Sequence, residues 1–165
     1  MPIREENRRA FSLVELMLIV AFLGVFAAIA IPRLDYGIVR RYKAEATAKK
    51  ILTSLRLTRS FAISDAATND RGFALRFDGP GGSGVRTGYE IMDRDTQPPT
   101  VAREYTIDPD VTVTSDKKSM RFGPLGNILE SPSGGFPSEI TASADGKIFT
   151  IGFLIGTGTI TCTEN

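Results

Sequence analysis

The chain has 165 residues, with 20 Lys plus Arg against 19 Asp plus Glu and a formal charge of +1. That length leaves room for one modest domain plus an anchor, and near-neutrality removes the electrostatic case for a nucleic-acid or acidic-surface partner. There is no His, no Trp and a single Cys, which excludes histidine-based triads, histidine metal sites, thiolate clusters and an intrachain disulfide.

The first ten residues carry Arg4, Arg8 and Arg9 and end at Ala10. Residues 11–32 then form an apolar run broken by one carboxylate, Glu15. From Leu16 to Ile31 the run is free of charge and spans about 24 Å as helix, and Phe11 to Val14 extend it to about 30 Å. This matches a bilayer hydrocarbon core. An ionisable group in such a helix costs at least ~2.5 kcal/mol and calls for a functional explanation.

The residues themselves allow two readings of this segment. In the first it is a secretory signal peptide, with Ala28-Ile29-Ala30 as the small-x-small cleavage site and Arg8-Arg9 as the outline of a twin-arginine signal. In the second it is a signal anchor, in which Ser12-x-x-Glu15 is a capping box and Glu15 faces the positive end of the helix dipole.

A third reading comes from likeness. Ala10-Phe11-Ser12-Leu13-Val14-Glu15-Leu16 resembles the processing site of type IV pilins and of the pseudopilins of type II secretion. The resemblance implies cleavage between Ala10 and Phe11 by a prepilin peptidase and N-methylation of Phe11. It also implies a Glu15 that pairs with the new Phe11 amine of a neighbouring subunit and so sets filament register. Gly24 and Pro32 match the family's helix-loosening positions, while Ala10 stands where the family usually has Gly, which predicts slower cutting. Arg33, Arg40, Arg41, Lys43, Lys49 and Lys50 outnumber the three Arg before the run. A positive-inside count would therefore put the C-terminal domain in the cytoplasm, whereas the resemblance implies the reverse.

Past Pro32, apolar residues continue at helical spacing: Ala44, Ala48, Ile51, Leu52, Leu55, Ala62, Ile63 and Ala66. They predict one continuous helix over about 12–67, softened between Gly24 and Pro32. Its second half lays this stripe on the head, and Lys43, Lys49, Lys50, Arg56 and Arg59 form a solvated face. Beyond Asp70 the period becomes two. Strands are expected over 72–77, 88–92, 101–107, 111–114, 119–122 and 159–162, with turn-rich loops over 78–84 and 131–135. Asp145-Gly146 predicts a two-residue hairpin turn pairing Ala142 with Phe149 and Ile140 with Ile151. These four then share one face, turned toward the helix stripe.

The expected fold class is α+β: a long N-terminal helix, transmembrane in its first half, packed on an antiparallel sheet. Its segments are a leader (1–10), a membrane or filament-core helix (11–32), an amphipathic helix (33–67) and a β-rich head (68–165). This layout is similar to minor pilins of the GspH/FimT type. Leu55-x-x-x-Arg59-Ser60-x-Ala62-Ile63, Gly88-Tyr89-x-Ile91 and Met120-x-Phe122-x-x-x-Gly126 carry the likeness in the head.

No catalytic constellation, metal site or cofactor motif is present. Asp93-x-Asp95 and Asp108-x-Asp110 lack the remaining ligands of a calcium loop and read as turn residues. Cys162 reads as a packed apolar residue. Some relatives of this type bind DNA through a basic tail, but residues 156–165 contain no Lys or Arg, and Lys117, Lys118 and Arg121 make only a small cluster.

The expected function is that of a non-enzymatic minor pilin or pseudopilin. It starts or caps a filament from the inner membrane, with its head in the periplasm. Its expected partners are other pilins, the prepilin peptidase, the assembly platform, membrane lipid and a secreted substrate. A DNA-receptor minor pilin in natural transformation and a soluble exported protein with a cleaved signal are the alternatives.

Overall fold

A computed structural model describes residues 12–30, 36–79, 84–132 and 134–165. The chain divides into two units, residues 1–36 and 37–165.

The first unit contributes helix α1, Leu13–Ala30. Ser12 opens it: the Ser12 carbonyl accepts the amides of Glu15 at 3.0 Å and Leu16 at 3.1 Å. The expected capping box does not form, because neither the Ser12 nor the Glu15 side chain bonds a helix amide among the described residues. The side chains of α1 are apolar around its whole circumference and remain uncovered, with Leu13 76% and Phe26 68% exposed. At 18 residues α1 is about 27 Å long. No helix among the described residues is long and apolar enough to cross a membrane.

The second unit begins in helix α2, Tyr36–Ser64. The single helix expected over 12–67 is thus described as two, with 31–35, and so Pro32, outside the described residues. α2 stops at Ser64 because the chain turns there: the Asp65 carbonyl accepts the amides of Thr68 and Asn69 at 2.9 and 2.8 Å.

Ten strands follow: β1 Phe73–Phe77, β2 Gly84–Arg86, β3 Gly88–Asp93, β4 Thr100–Thr106, β5 Thr112–Ser115, β6 Ser119–Phe122, β7 Ile128–Leu129, β8 Glu139–Ala144, β9 Lys147–Leu154 and β10 Thr159–Glu164. They build two five-stranded antiparallel sheets, ordered β4-β3-β1-β6-β7 and β10-β9-β8-β5-β2. The expectation of one sheet is corrected here. The chain passes from one sheet to the other five times: between β1 and β2, between β2 and β3 across Thr87, between β4 and β5, between β5 and β6, and between β7 and β8. β2 begins inside the expected 78–84 loop, and β7 was not foreseen.

Both sheets turn their apolar faces into one core. Leu75, Phe77, Ile91, Met120 and Phe122 come from the first, Val113, Ile140, Ala142, Phe149 and Ile151 from the second. The α2 stripe Ala44, Ala48, Ile51, Leu55 and Ala62 is wholly buried in the same cluster. Leu52 is half-buried, and Ile63 lies outside at 47% exposure.

The hairpin registers match residue for residue: Ile140 opposes Ile151 and Ala142 opposes Phe149. Asp145 at φ 50° and Gly146 at φ 78° are both left-handed, the conformation a type I′ turn requires.

Two polar groups on the buried face of α2 needed partners. Ser54 shares a 3.1 Å hydrogen bond with the Tyr89 hydroxyl, and the Thr58 hydroxyl donates to the Ser54 carbonyl at 2.7 Å. Tyr89 is 1% exposed, between the rings of Phe77 and Tyr105. Burial pushes its phenol up to about 12; the Ser54 bond pulls it down and the Tyr105 neighbour adds to the rise. A raised folded value means that this group's contribution to stability is intact below pH ~10 and is lost as pH climbs toward 12. Phenolate absorbance of the folded chain should therefore show one of the four tyrosines ionising about two pH units late. That step should vanish in Tyr89→Phe; a titration curve that the substitution leaves unchanged at its alkaline end would contradict it.

Candidate functional site

The residues expected to direct processing and assembly are divided by the structure. Ala10 and Phe11 lie outside the described residues. Glu15 sits in the first turn of α1, exposed, with no ion pair among the described residues. α1 runs through Gly24 without a break, and a Cβ built there would meet nothing within 4 Å. Among the described residues no contact therefore demands glycine, although a mid-helix glycine costs roughly 0.5–1 kcal/mol against alanine.

The basic face of α2 is exposed at Lys49, Lys50 and Arg56, as expected, and half-buried at Lys43 and Arg59, and most of its cations also reach groups of the sheets. Lys43 bridges Asp108 and Asp110 at 3.2 and 2.5 Å. Hydrogen bonds first to Asp110 and then to Asp108 raise its pKa. Lys50 lies 5.1 Å from the Tyr105 ring centroid. Arg59 donates to the Gly126 and Thr157 carbonyls, both at 3.0 Å, and Arg56 reaches the Ile160 carbonyl at 3.5 Å. Arg40 and Arg41 meet Asp145 at the hairpin turn, at 3.5 and 3.1 Å. Of the five residues expected to be solvated, Lys49 alone stays on the helix, paired with Glu45 at i,i+4. Cations on α2 therefore tie the helix to loops of both sheets.

The two Asp-x-Asp pairs are turns. The Asp95 amide donates to the Asp93 carboxylate at 2.9 Å, and the Asp110 amide to Asp108 at 3.0 Å. That amide, followed by Lys43, holds the Asp108 carboxyl below its ordinary range. Among the described residues no group of three acidic or Cys side chains could hold a metal. Cys162 on β10 is half-buried against the core, and burial pushes its thiol up. It is placed as a packing residue and not as a nucleophile.

A feature missed in the sequence lies on the outer face of the first sheet. Side chains alternate along β1 and β6, so Leu75, Phe77, Met120 and Phe122 turn inward while Ala74, Arg76, Ser119 and Arg121 turn outward. Ala74 stands opposite Met92 on one side and Arg121 on the other. Above Ala74 and Met92 is a recess of about 480 Å³, bordered by Arg76, Arg94, Lys118 and Pro132. Arg76 is neutralised by Glu90. Arg94, Lys118 and Arg121 form no ion pair among the described residues. The alternation in β1 and β6 was a signal for the outward basic residues; the inclusion of Arg94 depends on strand pairing.

No protein family, curated protein or solved structure matches this chain.

Proposed function

We propose that the chain is a minor pilin or pseudopilin subunit that starts or caps a filament, with α1 as its membrane and filament-core stem and the two-sheet unit as a periplasmic head. One observation carries this reading. α1 leaves apolar side chains uncovered on every side, with a lone carboxylate in its first turn. An all-round apolar helix requires lipid or other helices about it, and a carboxylate in that setting requires a cation.

The sequence continues apolar on both flanks of α1, through Phe11 and Ile31, which brings the run to about 30 Å at helical rise. Cleavage after Ala10 supplies a new amine on Phe11, within one helical turn of Glu15. The second unit is consistent with the same reading, because α2 lends its polar face to ion pairs and its stripe to the core of that unit.

N-terminal sequencing of the mature chain tests this directly. It should begin with N-methylated Phe11. Ile31 in first position would instead show a cleaved secretory signal, and an unprocessed Met1 would remove the pilin reading.

A further inference from the structure

Helix α2 buries one side in the core and leaves the other apolar at one end only. At 3.6 residues per turn, Val39, Tyr42 and Ala46 fall on the side away from Ala44, Ala48, Ile51 and Leu55, with Ile38 at its border. All four are exposed, Ile38 by 48%, Val39 by 53% and Tyr42 by 67%. Farther along the same side stand Lys49, Lys50, Thr53, Arg56 and Ser60, also exposed. A side that only had to meet water would be polar from its start. The apolar stretch is instead confined to the first three turns, the end that the chain joins to the apolar run closing at Ile31.

Reach, size and charge decide what covers this stretch. Tyr36 follows Ile31 by five residues, so it stands within about 18 Å of the apolar run whatever path the chain takes, and Ile38 only ~3 Å farther along the helix. A helix tethered so closely to a membrane stem meets the lipid–water boundary, and a Tyr beside aliphatic side chains is a composition that settles there. Four side chains are far fewer than the roughly 20–30 a side of a stable protein interface. A face already tethered to the bilayer needs no such free-standing affinity. Arg40 and Arg41 meet Asp145, and Lys43 meets Asp108 and Asp110. These three cations and three carboxylates balance, which leaves apolar burial, not charge, as the attraction.

We propose that the outer face of the first three turns of α2 lies in the lipid–water interface, with Ile38 and Val39 at the acyl boundary and the Tyr42 hydroxyl toward the headgroups. Zwitterionic and anionic lipids fit it equally. The inference rests on the membrane stem of the proposed function and goes beyond it, because it gives the head a bilayer contact of its own.

The chain has no Trp, so a single introduced Trp reports its own surroundings. The full chain is reconstituted in phosphatidylcholine vesicles as Tyr42→Trp, Val39→Trp, Val20→Trp in the middle of α1, or Leu125→Trp. Leu125 is 89% exposed on the turn whose Gly126 lies against Ile63, near the other end of α2. Lipid brominated high on the acyl chain should quench Tyr42→Trp and Val39→Trp at least twofold and leave Leu125→Trp unchanged. Lipid brominated near the chain end should quench Val20→Trp, and phosphatidylglycerol vesicles should give the same results. Two probes of the face are used so that misfolding of one leaves the other informative. Quenching of Val20→Trp with none at residues 39 and 42 would overturn this inference and leave the stem intact. No quenching at residue 20 either would remove the stem and this inference with it. Blue-shifted but unquenched emission from residues 39 and 42 would mean that a second copy of the chain covers the face. Quenching that needs phosphatidylglycerol and fades in salt would mean that charge holds it there. Either of those two results would overturn the proposal.

Discussion

Under the proposed function, Glu15→Ala should insert in the membrane as well as the parent chain but be lost from filaments, its share in a sheared filament fraction falling tenfold or more. The two halves of this result have different physical origins. Removing the carboxylate removes a group that costs at least ~2.5 kcal/mol inside a membrane-length helix, so insertion cannot suffer. Assembly as proposed would pack the uncovered circumference of α1 against other stems, and there an unpaired carboxylate is several kcal/mol unfavourable. Under the proposed function its cation is the Phe11 amine of a neighbour, which makes the pair a marker of axial offset. Paired immunoblots of the membrane and filament fractions read both quantities. Normal incorporation of Glu15→Ala would mean that Glu15 pairs within its own subunit or reaches the interface, and the register idea would fail.

What could be read in the chain follows from how local each signal is. The expected stripe is a periodicity within one helix, and five of its eight members, Ala44, Ala48, Ile51, Leu55 and Ala62, are buried, while Leu52 and Ala66 are half-buried and Ile63 is exposed. The Asp145-Gly146 turn fixes its own strands, so the Ile140–Ile151 and Ala142–Phe149 pairs follow from two residues. The division into two sheets has no such signature. It takes five crossings between the sheets, and at one of them Thr87, an ordinary residue, is all that separates a strand of the second sheet from the next strand in the first. The roles of the α2 cations were hidden for a related reason. Arg59 finds Gly126 and Thr157, and Lys43 finds Asp108 and Asp110, only after strands distant in sequence have been laid beside the helix. Glu15 was legible as a lone charge in an apolar run. The recess was not, because Arg76, Arg94 and Lys118 come from separate parts of the chain and meet through pairing of the first sheet.

Gly72→Ala should cost the head about 2–5 kcal/mol, the sum of a left-handed backbone penalty and the strain of overpacking. Gly72 carries the chain from α2 into β1 at φ +68°, and a Cβ there would lie 2.0 Å from the Phe122 carbonyl oxygen and 3.1 Å from its carbon. Those atoms are backbone at the end of β6, which no rotamer change can move aside. The turn is locked from both directions: the Gly72 amide donates to the buried Asn69 side chain at 2.6 Å, and Asn69 in turn donates to Asp93 at 2.8 Å. Gly146→Ala supplies the contrast, since φ is +78° but a Cβ would meet nothing within 4 Å. Only the backbone penalty of about 1–2 kcal/mol applies there. Urea unfolding of the two variants in detergent, followed by near-ultraviolet circular dichroism, separates the contributions. Equal losses would mean that β6 yields at Phe122.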